Sequence, residues 1–346
     1  MNAGIFYALC AAALFGASTP LAKALGGHVS PVMLAGLLYL GSGLGLTAVR
    51  SIRDRGWRSA GLGPSEWPWL IGAVAVGGVL GPVALMFGLT RTSGAAASLL
   101  LNLESVLTAL LAWVVFKENA GRRIVAGMIA IVAGGIVLSW PREAAQAGQW
   151  IGPTAVAFAC ACWAIDNNLT RKVSASDALF IAAVKGLVAG AVNCSLALMM
   201  GAHLPGLPVL GPALIVGFLG YGVSLVLFVL ALRGLGSART GAYFSTAPFL
   251  GAAIALLFLG EPASWPFCIA AALMGMGVWI HLTERHVHEH HHEPLRHGHP
   301  HIHDEHHQHA HDFEWNGSEP HSHAHAHAEM RHSHAHFPDI HHRHGH

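Results

Sequence analysis

Apolar stretches close to twenty residues long, separated by short polar loops, fill the chain from its start to about residue 283. A helix needs about 20 such residues to cross a hydrocarbon core roughly 30 Å thick. Ten stretches qualify, at 4–25, 31–49, 67–89, 93–116, 122–140, 151–170, 177–200, 209–232, 238–259 and 264–282. Trp67, Trp69, Trp140, Trp150 and Trp265 stand at their edges, where amphipathic rings favour the membrane–water interface. After residue 283 there is no apolar run. The pattern predicts an all-α membrane protein with ten transmembrane helices, followed by a tail of another kind.

Charge separates the same two regions. The body carries 15 Lys and Arg against 8 acids, and the tail 4 against 10. In the body the cations cluster in alternate loops: Arg50, Arg53, Arg55 and Arg58, then Lys117, Arg122 and Arg123, then Arg171 and Lys172, then Arg233 and Arg239. The intervening loops hold only Lys23, Arg91 and Arg142. Positive charge in short loops marks the cytoplasmic side. Both termini, and with them the tail, are therefore expected in the cytoplasm, with the body in a bacterial-type inner (plasma) membrane. Cys10, Cys160, Cys162, Cys194 and Cys268 all fall in apolar runs and give no disulfide framework.

The body repeats itself. GLTRTSGAAASLLLNLESVLTALLAWVVFKE at 88–118 aligns without gaps on ALRGLGSARTGAYFSTAPFLGAAIALLFLGE at 231–261, an offset of 143 that pairs Glu118 with Glu261. LFGASTPLAK at 14–23 aligns more loosely with CWAIDNNLTR at 162–171. Each half, 1–140 and 150–283, then holds five spans, and an odd number makes the second half enter the membrane from the opposite side. Glu118 is expected at the cytoplasmic face and Glu261 at the outer one. Inverted repeats around a midplane site are a common plan for secondary transporters.

Several motifs carry a family resemblance over about 280 residues. They are LFGAS at Leu14–Ser18, GLTRTSGAAA at Gly88–Ala97, and the matched ends Phe116-Lys117-Glu118 and Leu259-Gly260-Glu261. With the five-plus-five plan, these make the body resemble the drug/metabolite transporter superfamily, as a chain of two EamA-type domains. The resemblance implies export of metabolites, amino acids or drugs, in many members coupled to protons, through a cavity between the halves. The tail is not part of that family pattern.

Three ionisable residues fall near the middle of spans: Glu104, Asp166 and Lys185. A charge at that depth costs at least a few kcal/mol unless it faces a partner or water. Asn102 and Ser105 flank Glu104, and Asn167 and Asn168 follow Asp166. One reading makes Glu104, Asp166, Asn102, Lys185 and Tyr243 a substrate and proton site; the other makes Lys185 a structural partner of Glu104 or Asp166. Asn193 is a further polar position within a span. Pro82 and Pro248 interrupt spans three and nine and free carbonyls one turn earlier, either lining a cavity or kinking a packed helix.

The tail, 284–346, holds 24 of the 27 histidines, many in His-x-His steps. Too few apolar residues remain to bury a core, so it is expected to be disordered. Imidazole suits zinc, nickel and cobalt, and His299, His301, His303, His306, His307, His309, His311, His321, His323, His325 and His327 are the expected ligands. The chain thus reads as a secondary transporter, an exporter of a small organic metabolite or drug-like solute, with a metal-binding tail. The alternative is a nickel, cobalt or zinc transporter whose tail collects ions. No phosphate loop, triad spacing or cofactor motif points to an enzyme, and no cofactor is required. The expected partners are the solute, lipid and divalent metal ions, with no nucleic acid, for a monomer or homodimer.

Overall fold

The computed structural model describes residues 3–55, 62–115, 122–140, 148–173 and 176–283, and four tail segments, 286–292, 295–301, 321–327 and 330–336. Arg58, Lys117, Glu118 and Arg142 lie outside the described residues. Residues 1–283 form one unit and 284–346 another.

The first unit is helical throughout. Its elements are α1 (Ala3–Leu25), α2 (Pro31–Asp54), α3 (Trp67–Ala73), a π-helical segment (Val74–Leu80), α4 (Gly81–Leu89), α5 (Gly94–Leu100), α6 (Leu103–Val115) and α7 (Arg122–Ser139). The second half continues with α8 (Ile151–Arg171), α9 (Ala178–Met199), α10 (Leu207–Gly217), a second π-helical segment (Phe218–Val223), α11 (Ser224–Phe244), α12 (Ala247–Phe258) and α13 (Trp265–Leu282). Helix starts follow local chemistry. Ser30, Ser93, Asp177 and Ser264 each accept a hydrogen bond from a backbone N–H two or three residues on, supplying a partner that the first turn lacks.

Eight of the expected spans are long and apolar enough to cross a membrane. The sixth, α8, is polar near its end, and α12, in the ninth, has only 12 residues. One expectation is corrected. The loop foreseen between spans eight and nine is helix, because α11 runs unbroken from Ser224 to Phe244. No proline interrupts LRGLGSARTG, and the chain breaks instead at Ser245–Thr246, with Pro248 in the first turn of α12 where it needs no intrahelical donor.

The halves interlock. Helix α2 packs on α9, α7 on α13, α1 on α11 and α12, and α4 on α8. Close approach depends on glycine. Gly43 and Gly186, related by the 143-residue offset, touch each other's backbone. Gly127 meets Gly277 while Gly134 meets the Ala270 carbonyl, and the offset takes 127 to 270 and 134 to 277. Such reciprocal contacts are those of an isologous interface, which places a pseudo-two-fold axis through both helix pairs. Small residues let helices pack closely where lipid gives no hydrophobic drive. Apolar side chains on the outside complete the picture, including Trp265, Phe258, Leu257 and Met199.

Polar groups tie the helix ends. At one end Arg50 Nε and Arg53 Nη2 donate to Asp177 Oδ2 at 3.0 and 2.7 Å, joining the loops after spans two and six. Elsewhere Glu261 accepts from the N–H groups of Gly94 and Ala95, both at 2.7 Å, and Lys23 Nζ donates to the Leu89 carbonyl. Burial raises the Asp177 carboxyl, but the bonds from Arg53 and Arg50 outweigh it and hold it below the ordinary carboxylate range.

The tail unit contains β1 (His286–His292), β2 (Leu295–His301), β3 (His321–His327) and β4 (Met330–His336). β1 pairs with β4 and β2 with β3, both antiparallel. Composition leads to an expectation of disorder for the tail, and strand pairing is described for these four segments. His-x-His alternation matches the strand period of two. His303, His306, His307, His309 and His311 lie outside the described residues.

Two outcomes follow for stability. Gly186→Leu puts a side chain into the Gly43 backbone and should lower the melting temperature in detergent, the cost of overpacking being roughly 1–3 kcal/mol; Gly241→Ala, which meets open space, should not. Asp177→Asn should also lower it at pH 7. Because the Asp177 value is depressed in the fold, its contribution is present above about pH 4 and fades as pH falls through the folded-state value. The difference between wild type and variant should therefore close in acid.

Candidate functional site

The polar residues within the spans gather where α8, α9, α6 and the first π-helical segment meet. Lys185 of α9 donates to both Asp166 oxygens, at 2.6 and 2.7 Å, and approaches Thr170 Oγ1 at 3.3 Å. Thr170 lies one turn beyond Asp166 on α8 and donates to Asp166 Oδ1 at 2.9 Å. Lys185 stands eight residues past Asp177, about 12 Å along the helix from the Arg50–Arg53–Asp177 cluster. Of the two partners open to Lys185, the structure selects Asp166, which is 6% exposed.

Glu104 is held differently. It sits in the first turn of α6, just past a break in span four, and Oε1 accepts from Asn167 Nδ2 at 2.8 Å. Among the described residues it has no cationic partner. The break itself comes from tight turns: Asn102 N bonds the Leu99 carbonyl and Glu104 N the Leu101 carbonyl. The Leu100 carbonyl is left to Cys160 Sγ at 3.7 Å. Asn102 is buried and serves this break, donating Nδ2 to the Leu99 carbonyl at 2.9 Å beside Met274, rather than joining the carboxylates.

The floor of the cluster is backbone. Gly81 N–H bonds the Val76 carbonyl, five residues back, and in that register the next donor would serve Gly77. Residue 82 is proline and has no N–H. Tyr39 Oη and Trp163 Nε1 donate to the Gly77 carbonyl instead, at 2.9 and 3.0 Å, while Asn193 Nδ2 reaches the Gly78 carbonyl at 3.2 Å. Gly77 also lacks the Cβ that would strike the Asp166 carboxyl. In the second half Ser224 N–H bonds the Leu219 carbonyl, the same five-residue bond shifted by 143.

Aromatic rings lead away from this point. Tyr39 lies 5.5 Å from Tyr221 in the second π-helical segment, Tyr221 6.0 Å from Phe15, Phe15 5.5 Å from Phe244, and Phe244 4.8 Å from Phe228. Tyr243, expected in the site, is partly exposed and has no described hydrogen bond from its hydroxyl to the carboxylates; its neighbour Phe244 is the ring in the series. Tyr39, Trp163 and Thr170 were not singled out by sequence reasoning, and Asn167 entered it only as a polar neighbour of Asp166. Pro82 was the available signal, since a missing donor names the carbonyls that need another partner.

Comparison with known proteins decides the family. The model of the EamA-like transporter family matches residues 2–140 and 150–283. The chain belongs to the EamA-like transporter family. A protein of Methanothermobacter thermautotrophicus (strain Delta H) named as an uncharacterized transporter is 28% identical over 297 residues, covering 80% of this chain and 85% of its own length. A protein of known crystal structure superposes with a TM-score of 0.62 at 19% identity, covering 82% of this chain and 99% of its own, which shows a shared fold. The chain is therefore a membrane transporter, not an enzyme.

Lys185→Met should destabilise the protein strongly, because it strands a buried carboxylate, whereas Lys185→Met combined with Asp166→Leu should recover most of the melting temperature. A double variant no better than the single one would show that the pair is not the source of the loss.

Proposed function

We propose that this EamA-like transporter exports a small organic solute across a bacterial-type inner membrane by alternating access, with Glu104 as the group that exchanges a proton for the solute. The observation that carries this is the unequal treatment of the two carboxylates. Asp166 is neutralised by Lys185 and bonded to Thr170, as a structural group would be. Glu104, on the first turn of a broken span, has an amide donor and, among the described residues, no cation, so it is the carboxylate available to bind and release a proton or a substrate amine. Half-helices broken within the membrane are where secondary transporters hold solutes and coupling ions.

Two further observations support the reading. Reciprocal glycine contacts about a pseudo-two-fold axis give the two halves equivalent surfaces on which to rock. The meeting of the loops after spans two and six through Arg50, Arg53 and Asp177 fits an Arg-rich end facing the cytoplasm. Metal transport through the bundle is the less favoured alternative, since among the described residues no three His, Cys, Asp or Glu side chains converge.

Vesicles containing the full-length protein and an internal pH dye test the proposal, with L-amino acids, organic amines, nickel, cobalt and zinc presented in turn. An organic solute should move protons, and Glu104→Gln should abolish that movement while leaving the melting temperature close to that of wild type. Metal flux with no response to any organic solute would overturn the reading in favour of the metal transporter.

A further inference from the structure

We propose that Glu261 latches an outer gate, holding α12 of the second half against α5 of the first, and that in this structure the gate is closed while the opposite end of the bundle stands open. The inference rests on the alternating-access reading and adds to it which end is shut, and by what.

The latch is specific. Glu261 lies just past α12, in a loop without Lys or Arg, which the distribution of loop charge puts on the outer side. Its two carboxylate oxygens accept separately from the Gly94 and Ala95 N–H groups, each at 2.7 Å. Those groups open α5 and have no intrahelical acceptor. Bonds to an ionised acceptor are the stronger kind. A Cβ on Gly94 would also meet Pro20 of α1 and Ala255 of α12, so three helices converge under the carboxylate.

The seal continues inward. A Cβ on Gly16 of α1 would strike the Ala247 carbonyl, and one on Gly251 of α12 the Gly16 carbonyl, so the two backbones touch. Ser98, one turn past Gly94 on α5, is 1% exposed at this junction, and its Oγ has no hydrogen-bond partner among the described residues. A Cβ on Gly251 would lie 2.8 Å from that Oγ. Burying a hydroxyl without a partner costs free energy, which fits a surface that water reaches in another state.

The repeat-related end has the same plan without the seal. The 143-residue offset takes Gly16 to Ala159, Gly251 to Thr108 and Ala247 to Glu104. The two glycines that let α1 and α12 touch are thus replaced, and the carboxylate of the proposed site takes the third position. Helix α5 packs on α12 and α1, whereas the equivalent part of α11 belongs to a helix that, among the described residues, packs comparably on neither α6 nor α8. Span four breaks between Leu89 and Gly94, exposing the N–H groups that Glu261 takes, but the equivalent 233–236 continue as helix within α11. A continuous helix leaves no such groups for a carboxylate. Two ends related by symmetry but unequal in contact describe one state of a bundle that rocks between two.

The test reads residue 98 in the full-length protein. Ser98→Cys is nearly isosteric, and its modification by a charged, membrane-impermeant thiol reagent is followed at that residue by peptide mass spectrometry in right-side-out membrane vesicles. With Glu261 intact the reaction should be slow. Adding Glu261→Gln, which removes the charge and one of the two acceptors, should speed it roughly tenfold or more. Adding Asp177→Asn instead, which cuts a tie at the Arg-rich end, should not. Equal acceleration by both variants would mean general loosening and would overturn the latch, as would a Glu261→Gln protein as slow as its parent. Acceleration confined to inside-out vesicles would overturn the outer placement. No solute is present, so the two proposals fail separately. Opening by Glu261→Gln without solute-driven proton movement would support the latch and count against proton-coupled export; proton movement with an unchanged rate at residue 98 would do the reverse.

Discussion

A backbone carbonyl inside a bilayer has no water to turn to, and the Gly77 carbonyl is the place where this constraint organises the bundle. Pro82 removes the N–H that a π-helical register would offer it. The vacancy is filled from two other helices, by Tyr39 of α2 and Trp163 of α8, and the neighbouring Gly78 carbonyl is filled by Asn193 of α9. Three helices are thereby fixed around one irregular turn. The same turn needs glycine, because Asp166 with its Lys185 partner occupies the space a Cβ would take. The π-helical segment, the aromatic residues and the ion pair are therefore one arrangement, each part requiring the others.

The inverted repeat gives that arrangement a counterpart without copying it. The five-residue hydrogen bond recurs at the equivalent position in the second half, from Ser224 to Leu219, but the residue matching Pro82 is Leu225. Around the second π-helical segment lie Ser18, Ser42 and aromatic rings rather than charges. The acid–base groups thus stand beside the first π-helical segment and aromatic rings beside the second, each drawn from both halves, while the glycine contacts of α2 with α9 and α7 with α13 preserve the symmetry of the frame. A symmetric frame with an asymmetric interior suits a protein whose two inward- and outward-facing states must be comparable in energy while its cargo is bound by specific groups.

The tail obeys a different physics. It has too few apolar residues to bury a core, and its strands carry an alternation of histidine with small or polar residues. Register is weakly set in such strands when no face is buried.

The sequence by itself determined what depends on composition and period. Apolar run length marked eight of the ten expected spans, loop cations divided the loops into two sets, and the 143-residue offset disclosed the repeat, because each of these is a property of local or linear pattern. Pro82 and Pro248 also marked the first π-helical turn and the start of α12, since a missing donor is a local fact. Only the tertiary structure decided which partner each freed or charged group takes. Lys185 was equally placed in sequence to meet Glu104 or Asp166, and the crossing of α8 with α9 gives it to Asp166. Asn102 is next but one to Glu104 in sequence, yet it turns to the Leu99 carbonyl, because the break in span four left that group close at hand. Tyr39 carries no sequence mark of function, and its role follows from the glycine contact that brings α2 against the second half of the bundle. Partner choice depends on distances between segments far apart in the chain, and these are set by packing.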